Sequence, residues 1–228
     1  MISICLLAYK RPELLMRCID SIHATADSPF ELIVNVDGEE NQDQHAASIA
    51  YEYFRQGKIS KLISIGGLNR GVGRSFQNCL GVAEGDIIVK IDTDLTFKEH
   101  WLSRAVHALE NNSDVGCISL FNYNHYDPTD KRFTILEDRS DVYLVSDFVS
   151  SIYAFRTTDA YRYDDGPLFI NKTVPDDGLH QQFGKMAITK EDYVINHGFG
   201  EKSVYLTFDE YGKPSKTKTY DTPLLFGN

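Results

Sequence analysis

Apolar positions in the first half of the chain alternate between short continuous runs and helical stripes. Residues 2–7, 30–36, 61–65, 86–91 and 115–121 form strand-length runs, as expected of strands covered on both faces. Between them, Leu14, Leu15, Cys18, Ile19 and Ile22 recur at helical spacing, as do Ala46, Ala47, Ile49, Ala50, Tyr53 and Phe54. Phe76, Cys79, Leu80 and Ala83 mark a third helix, and Trp101, Leu102, Ala105, Val106 and Leu109 a fourth. Pro12 stands where a first helical turn begins. Asp37-Gly38, Gly57, Gly66-Gly67 and Gly85 punctuate the ends. This βαβαβαβαβ order predicts an α/β fold with a mostly parallel central sheet and helices on both faces. In such sheets ligands bind beyond the carboxyl ends of the strands. The segments after the first, second and fourth strands are therefore where chemistry is expected.

The second half changes character. Strand-like stretches at 142–145, 148–155, 193–195 and 204–208 surround one short helix near Leu179 and Phe183. This predicts a smaller α+β portion completing the same unit. Residues 212–219 are polar and read as a loose tail.

Composition narrows the function classes. Lys and Arg number 23 against 33 Asp and Glu, a net charge of −10, which argues against a broad basic surface for nucleic acid. No apolar run approaches the roughly 20 residues that span a bilayer, and the start lacks a basic leader. Cys5, Cys18, Cys79 and Cys117 form no C-x-x-C pair, so zinc and redox readings have little support. Cys5, Cys18 and Cys79 read as reduced core thiols, and a reducing cytoplasm is the expected compartment.

The candidate chemistry lies after the fourth strand. Asp92 and Asp94 are two residues apart, and in an extended chain their side chains share one side. Two carboxylates beside a buried strand repel unless a cation or donors compensate them. Mg²⁺ or Mn²⁺ suits them, because such ions combine one or two carboxylates with phosphate oxygens and water. A solvated turn or a helix cap would also accommodate Asp92-Thr93-Asp94.

Four segments, taken in order, resemble the large family-two group of GT-A fold glycosyltransferases. They are Ile4-Cys5-Leu6-Leu7-Ala8-Tyr9-Lys10-Arg11-Pro12; Leu32-Ile33-Val34-Asn35-Val36-Asp37-Gly38; Asn69-Arg70-Gly71-Val72-Gly73-Arg74 through Asn78 and Ala83-Glu84-Gly85-Asp86 to Asp92-Thr93-Asp94; and Ser150-Ser151-Ile152-Tyr153-Ala154-Phe155-Arg156 to Pro175-Asp176-Asp177-Gly178. The resemblance implies a Rossmann-like GT-A sheet over 1–200, with a nucleotide-sugar-binding half at 1–96, an acceptor-side half at 97–200 and a C-terminal extension at 201–228. It implies a hexosyltransferase-like enzyme that passes a sugar from a nucleotide diphosphate, UDP being the commonest, to a glycan or other hydroxyl acceptor with inversion. Ala8, Tyr9, Arg11, Asp37, Arg74, Asn78, Asp92 and Thr93 would line the nucleotide-sugar site. Within it, Tyr9 and Asp37 would flank the base and Asp92 would approach the ribose. Asp94, with Asp92 and His197, would hold Mn²⁺ or Mg²⁺. Asp177, or its neighbour Asp176, would be the general base.

The chain departs from the family pattern in places. Ala8 replaces the usual hydroxyl residue. Asp37-Gly38-Glu39-Glu40 lacks a second aspartate before glycine. Asp176-Asp177 stands where Glu-Asp is commoner. Three other readings compete. A sugar nucleotidyltransferase would need a glycine-rich loop after the first strand, and 8–12 contains no glycine. A non-catalytic glycan- or partner-binding module would show no turnover of nucleotide sugars. An enzyme glycosylating modified DNA bases would need phosphate contacts, for which Lys213, Lys216 and Lys218 are the only hint.

Overall fold

The computed structural model describes residues 1–38, 45–66, 70–121, 134–146, 150–160 and 183–197, with short strands at 207–208 and 214–215. The elements run β1 (Ile2–Ala8), α1 (Pro12–Thr25), β2 (Phe30–Asp37), α2 (His45–Arg55), β3 (Lys61–Ile65), α3 (Val72–Leu80), β4 (Ile87–Asp92), β5 (Leu95–Phe97), α4 (Trp101–Asn111) and β6 (Cys117–Ser119). They continue with β7 (Ile135–Asp138), β8 (Val142–Val145), β9 (Ile152–Arg156), α5 (Thr157–Ala160), β10 (Met186–Thr189), β11 (Val194–Asn196), β12 (Thr207–Phe208) and β13 (Pro214–Ser215).

One nine-stranded sheet has the order β3-β2-β1-β4-β9-β6-β10-β8-β7. The pairs β2–β3, β1–β2, β1–β4 and β6–β10 are parallel. Antiparallel β9 is inserted between β4 and β6. The predicted mostly parallel α/β sheet is therefore present. The expected fifth strand at 115–121 shrinks to β6, and the gap beside β4 is filled from the second half.

Side chains alternate across the sheet. On one face Ile4, Leu6, Val34, Val36, Val89, Ile91 and Ile152 form a large core with α1, α2 and α4. On the other, Cys5, Ile33, Ile88, Tyr153 and Phe155 pack with Phe76 and Cys79 of α3. The Phe76 ring meets Tyr153 edge-on at 6.0 Å, a preferred aromatic geometry. All four cysteines are free and buried.

A polar network ties the amino ends of β1, β2 and β4 together. Ser3 Oγ donates to Glu31 Oε1 at 2.5 Å, and Lys61 Nζ lies 2.8 Å from Glu31 Oε2. The backbone N–H of Glu84 donates to Glu31 and that of Gly85 to Ser3 Oγ. A Cβ on Gly85 would lie 2.6 Å from Ser3 N and 2.7 Å from Ser3 Oγ. This close approach is why the turn into β4 carries glycine.

Asp27 supplies α4 with an external cap. It accepts Ser103 N at 3.0 Å and Ser103 Oγ at 2.6 Å. β12, inside the strand-like stretch expected at 204–208, pairs antiparallel with β13, which lies in the expected loose tail. The expected helix near Leu179 lies outside the described residues, apart from its end at Phe183. Among the described residues no helix is long and apolar enough to cross a membrane.

Candidate active site

Strand register assembles the site. Leu7 of β1 pairs with Asn35 of β2 and with Asp92 of β4, so Asn35, Leu7 and Asp92 form one row across the sheet. One row lower, Cys5 pairs with Ile33 and Lys90, and Lys90 pairs with Tyr153 of β9. Asp37, two residues beyond Asn35, shares its face. Polar groups thus replace the apolar pattern where the strands reach their carboxyl ends.

The turn after β1 is strained. Lys10 and Arg11 both have positive φ, 55° and 54°, a conformation that non-glycine residues adopt at a cost. It swings the chain into α1, with Arg11 at the N-cap and Pro12 in the first turn. Ala8 is buried at the strand end, and Tyr9 is half-buried with Lys10 Nζ 5.5 Å from its ring centre.

Asp37 is buried at the end of β2. Its carboxylate accepts the backbone N–H of Arg70 (3.0 and 3.1 Å) and of Gly71 (2.8 Å). It therefore anchors the amino end of α3, where a negative charge is favoured. The base contact implied for Asp37 would use the lone pair left over from these bonds. On α3, Asn78 turns inward and donates to Asn35 Oδ1 at 3.1 Å, while Arg74 is exposed. The Asn35 side-chain nitrogen is buried and has no hydrogen-bond partner among the described residues.

Asp92 closes β4, and its N–H donates to Ser151 O at 2.9 Å. Thr93 and Asp94 form a turn, both buried. The chain is therefore not extended through Asp94, and the shared side expected from an i, i+2 strand pair does not apply. Both carboxylates nevertheless lie near the buried Cys18 of α1. Its thiol pKa is pushed well up, first by burial and then by the charges of Asp94 and Asp92.

His197 reaches the site through the β5–β11 pair. Its N–H donates to Asp94 O at 2.9 Å, one step beyond the Asn196–Leu95 pairing. Its Nε2 lies 2.9 Å from Thr96 Oγ1. Burial, and secondarily Arg17, lowers its pKa below the ordinary 6.5, so the ring is neutral at pH 7. If Nε2–H donates to Thr96, Nδ1 carries a lone pair and can ligate a metal. Among the described residues no three His, Cys, Asp or Glu side chains are gathered closely enough to hold a metal ion. The donor types at Asp92, Asp94 and His197 still suit a divalent ion whose remaining ligands come from phosphate and water. Asp176 and Asp177 lie outside the described residues.

Residue-type reasoning missed one central group. Lys90 is 1% exposed in the middle of β4, and its Nζ is 2.9 Å from Asp92 Oδ1. A lysine at an apolar strand position, two residues before an aspartate, was the available signal.

A mixed α/β sheet with polar groups at the carboxyl ends of β2 and β4, beside the end of β1, has the layout in which α/β proteins bind ligands beyond their strand ends. The model of "Glycosyl transferase family 2" matches residues 3–191, and the chain belongs to that family. Over 114 residues it is 27% identical to the "Glucosyl-dolichyl phosphate glucuronosyltransferase" of Haloferax volcanii, a match covering 50% of this chain and 34% of that protein. S. aureus TarS in complex with UDP-GlcNAc superposes with TM-score 0.62 at 18% identity, over 85% of this chain and 57% of that one. The mannosyltransferase PcManGT from Pyrobaculum calidifontis, in complex with GDP-Man and Mn²⁺, superposes with TM-score 0.57 at 17% identity, over 84% and 58%. These two share the GT-A fold with this chain, which spans less than two thirds of each of the three proteins.

Proposed function

We propose that this chain transfers a sugar from a nucleotide-diphosphate sugar to an acceptor hydroxyl, with inversion at the anomeric carbon. The observation that carries this reading is the row Asn35–Leu7–Asp92 at the carboxyl ends of adjoining strands, with Asp37 beyond it and the Asp94 carbonyl, just past β4, accepting the His197 N–H. Family membership supports the reaction class. Complexes of the structural relatives with UDP-GlcNAc and with GDP-Man and Mn²⁺ make both nucleotide types sensible donors to test, UDP first. The four free buried thiols fit the reducing cytoplasm.

In this mechanism Tyr9 and Asp37 hold the base, and Asp92 receives the ribose hydroxyls. Arg11, Arg74, Asn78 and Thr93 border the nucleotide. Asp94, with His197 and Asp92, would hold Mn²⁺ or Mg²⁺, which when bound neutralises charge gathering on the diphosphate. Asp177, or Asp176 beside it, takes the acceptor proton as the new glycosidic bond forms on the face opposite the departing nucleotide.

Thermal unfolding against a panel of UDP- and GDP-sugars, with and without Mn²⁺, tests the donor assignment. A true donor should raise the melting temperature by ligand linkage, and Asp94→Ala should erase the Mn²⁺-dependent part. If no nucleotide sugar shifts the unmodified chain, the reading is wrong and a non-catalytic module takes its place. Asp177→Asn should bind donor as the unmodified chain does yet form no product. Full transfer by that variant would move the base to Asp176.

A further inference from the structure

We propose that Lys90 is a positioning residue: an ammonium built into the interior of β4 that fixes the Asp92 carboxylate and presents only its second oxygen to the donor. The inference rests on the reading of Asp92 as a donor-binding group.

Lysine is the residue least expected in a central strand, since burying its charge costs several kcal/mol unless it is paired. Here several described groups compensate the charge. Nζ lies 2.9 Å from Asp92 Oδ1, donates to Ser150 O at 3.4 Å and stands 5.5 Å from the Tyr153 ring centre. The Tyr153 ring is itself packed against Phe76 and Phe155. Ser150 is held in turn, its Oγ 2.7 Å from Ser119 Oγ and donating to Ile152 O. The cation thus has a rigid seat formed by β4, β9 and the residue pair leading into β9.

The partnership is unequal. The Lys90 side chain is 2% exposed and that of Asp92 is 33% exposed. Asp92 alone faces outward, so the pair is a fixed base carrying a functional tip. Asp92 Oδ1 is committed below, and Oδ2, with no partner among the described residues, is left for whatever binds above. A carboxylate at a strand end would otherwise sample several rotamers, and the loss of that freedom would oppose binding. The fixed cation also answers the repulsion expected between Asp92 and Asp94. The strand itself supplies a positive charge, independent of any bound ion.

Lys90→Met keeps the stem and removes the charge, and Lys90→Gln keeps a shortened donor. Both should fold with lowered stability, because the Asp92 carboxylate left behind is a third exposed and water can solvate it. Thermal unfolding checks this first. In a crystal structure of Lys90→Met, Asp92 should leave its present rotamer or occupy more than one. Calorimetric titration with UDP-sugar should show donor affinity weakened about tenfold or more. KM should rise with it while kcat changes less, as expected for a lost ground-state contact, and Lys90→Gln should fall between. An unmoved Asp92 with donor affinity unchanged within about twofold overturns the proposal. If no nucleotide sugar binds even the unmodified chain, the glycosyl-transfer reading fails, and the position of Asp92 in the Lys90→Met crystal still decides the role of Lys90.

Discussion

Asp37 shows how one side chain can serve the fold and the site together. Its carboxylate satisfies the N–H groups of Arg70 and Gly71, donors that a helix start leaves without intrahelical partners. Gly71, at φ 86°, is the N-cap that lets the chain bring both N–H groups to one acceptor. Asp37→Ala removes the carboxylate that these part-buried N–H groups share. The expected loss of stability is about 1–3 kcal/mol, read as a lower urea midpoint with an unchanged slope. Asp37→Asn should lose less, since one oxygen remains to accept. A variant as stable as the unmodified chain would mean that water replaces the carboxylate without cost, and Asp37 would then be a ligand residue only.

At the scale of elements, legibility follows the range of the interactions that make each one. Strands β1, β2 and β4 and helices α1 and α4 appear in the sequence because each buries a continuous run or a full stripe of its own residues; β3 and α2 show the same patterns but are only partly covered, with Ser64 and Phe54 exposed. β5 is only three residues long, too short for periodicity to mark, yet its pairing with β11 is what delivers His197 to Asp94. The insertion of β9 between β4 and β6 is equally invisible, because the choice of neighbour is made by packing far along the chain. α3 begins at Val72, earlier than its first large apolar residue suggests, because Gly71 and Asp37 set its start rather than its stripe. The positions of Asp92, Asp94 and His197 as candidates were readable from spacing and resemblance. What holds them was not: Lys90 looks like a blemish in an apolar strand until the register puts it under Asp92.

At the scale of the whole molecule, charge decides how stability varies with pH. Several carboxylates are held below their ordinary range by specific partners: Asp114 by Arg139 and Lys185, and Asp20 chiefly by Lys58. Burial alone would raise Glu31, but Lys61, Ser3 and the N–H of Glu84 together bring it below its ordinary 4.5. For each of these the unfolded chain takes up protons first. Their stabilisation is complete above the ordinary carboxylate values and is lost as pH falls through the lowered ones. His197 acts in the same direction at higher pH. Its folded value lies below 6.5, so the unfolded chain again binds protons more readily, and stability begins to fall as pH drops past about 6.5. On the alkaline side Tyr53, raised from 10 to about 12 by burial and by Asp20, reverses the sign. The unfolded phenol ionises first, so stability falls as pH rises beyond 10. The buried thiols of Cys5 and Cys18, raised by burial, turn the sign sooner, because thiols of the unfolded chain ionise from about pH 8.5. The melting temperature should therefore be level between about pH 7 and 8.5 and decline on both sides, although the isoelectric point is near 5.1. Glu31→Gln should lower the plateau and flatten the acid decline, because a neutral amide cannot gain from the network that Lys61 completes. A melting curve measured from pH 3 to 11 checks both. A maximum near pH 5 would show that net charge, rather than these local partners, governs the stability of the fold.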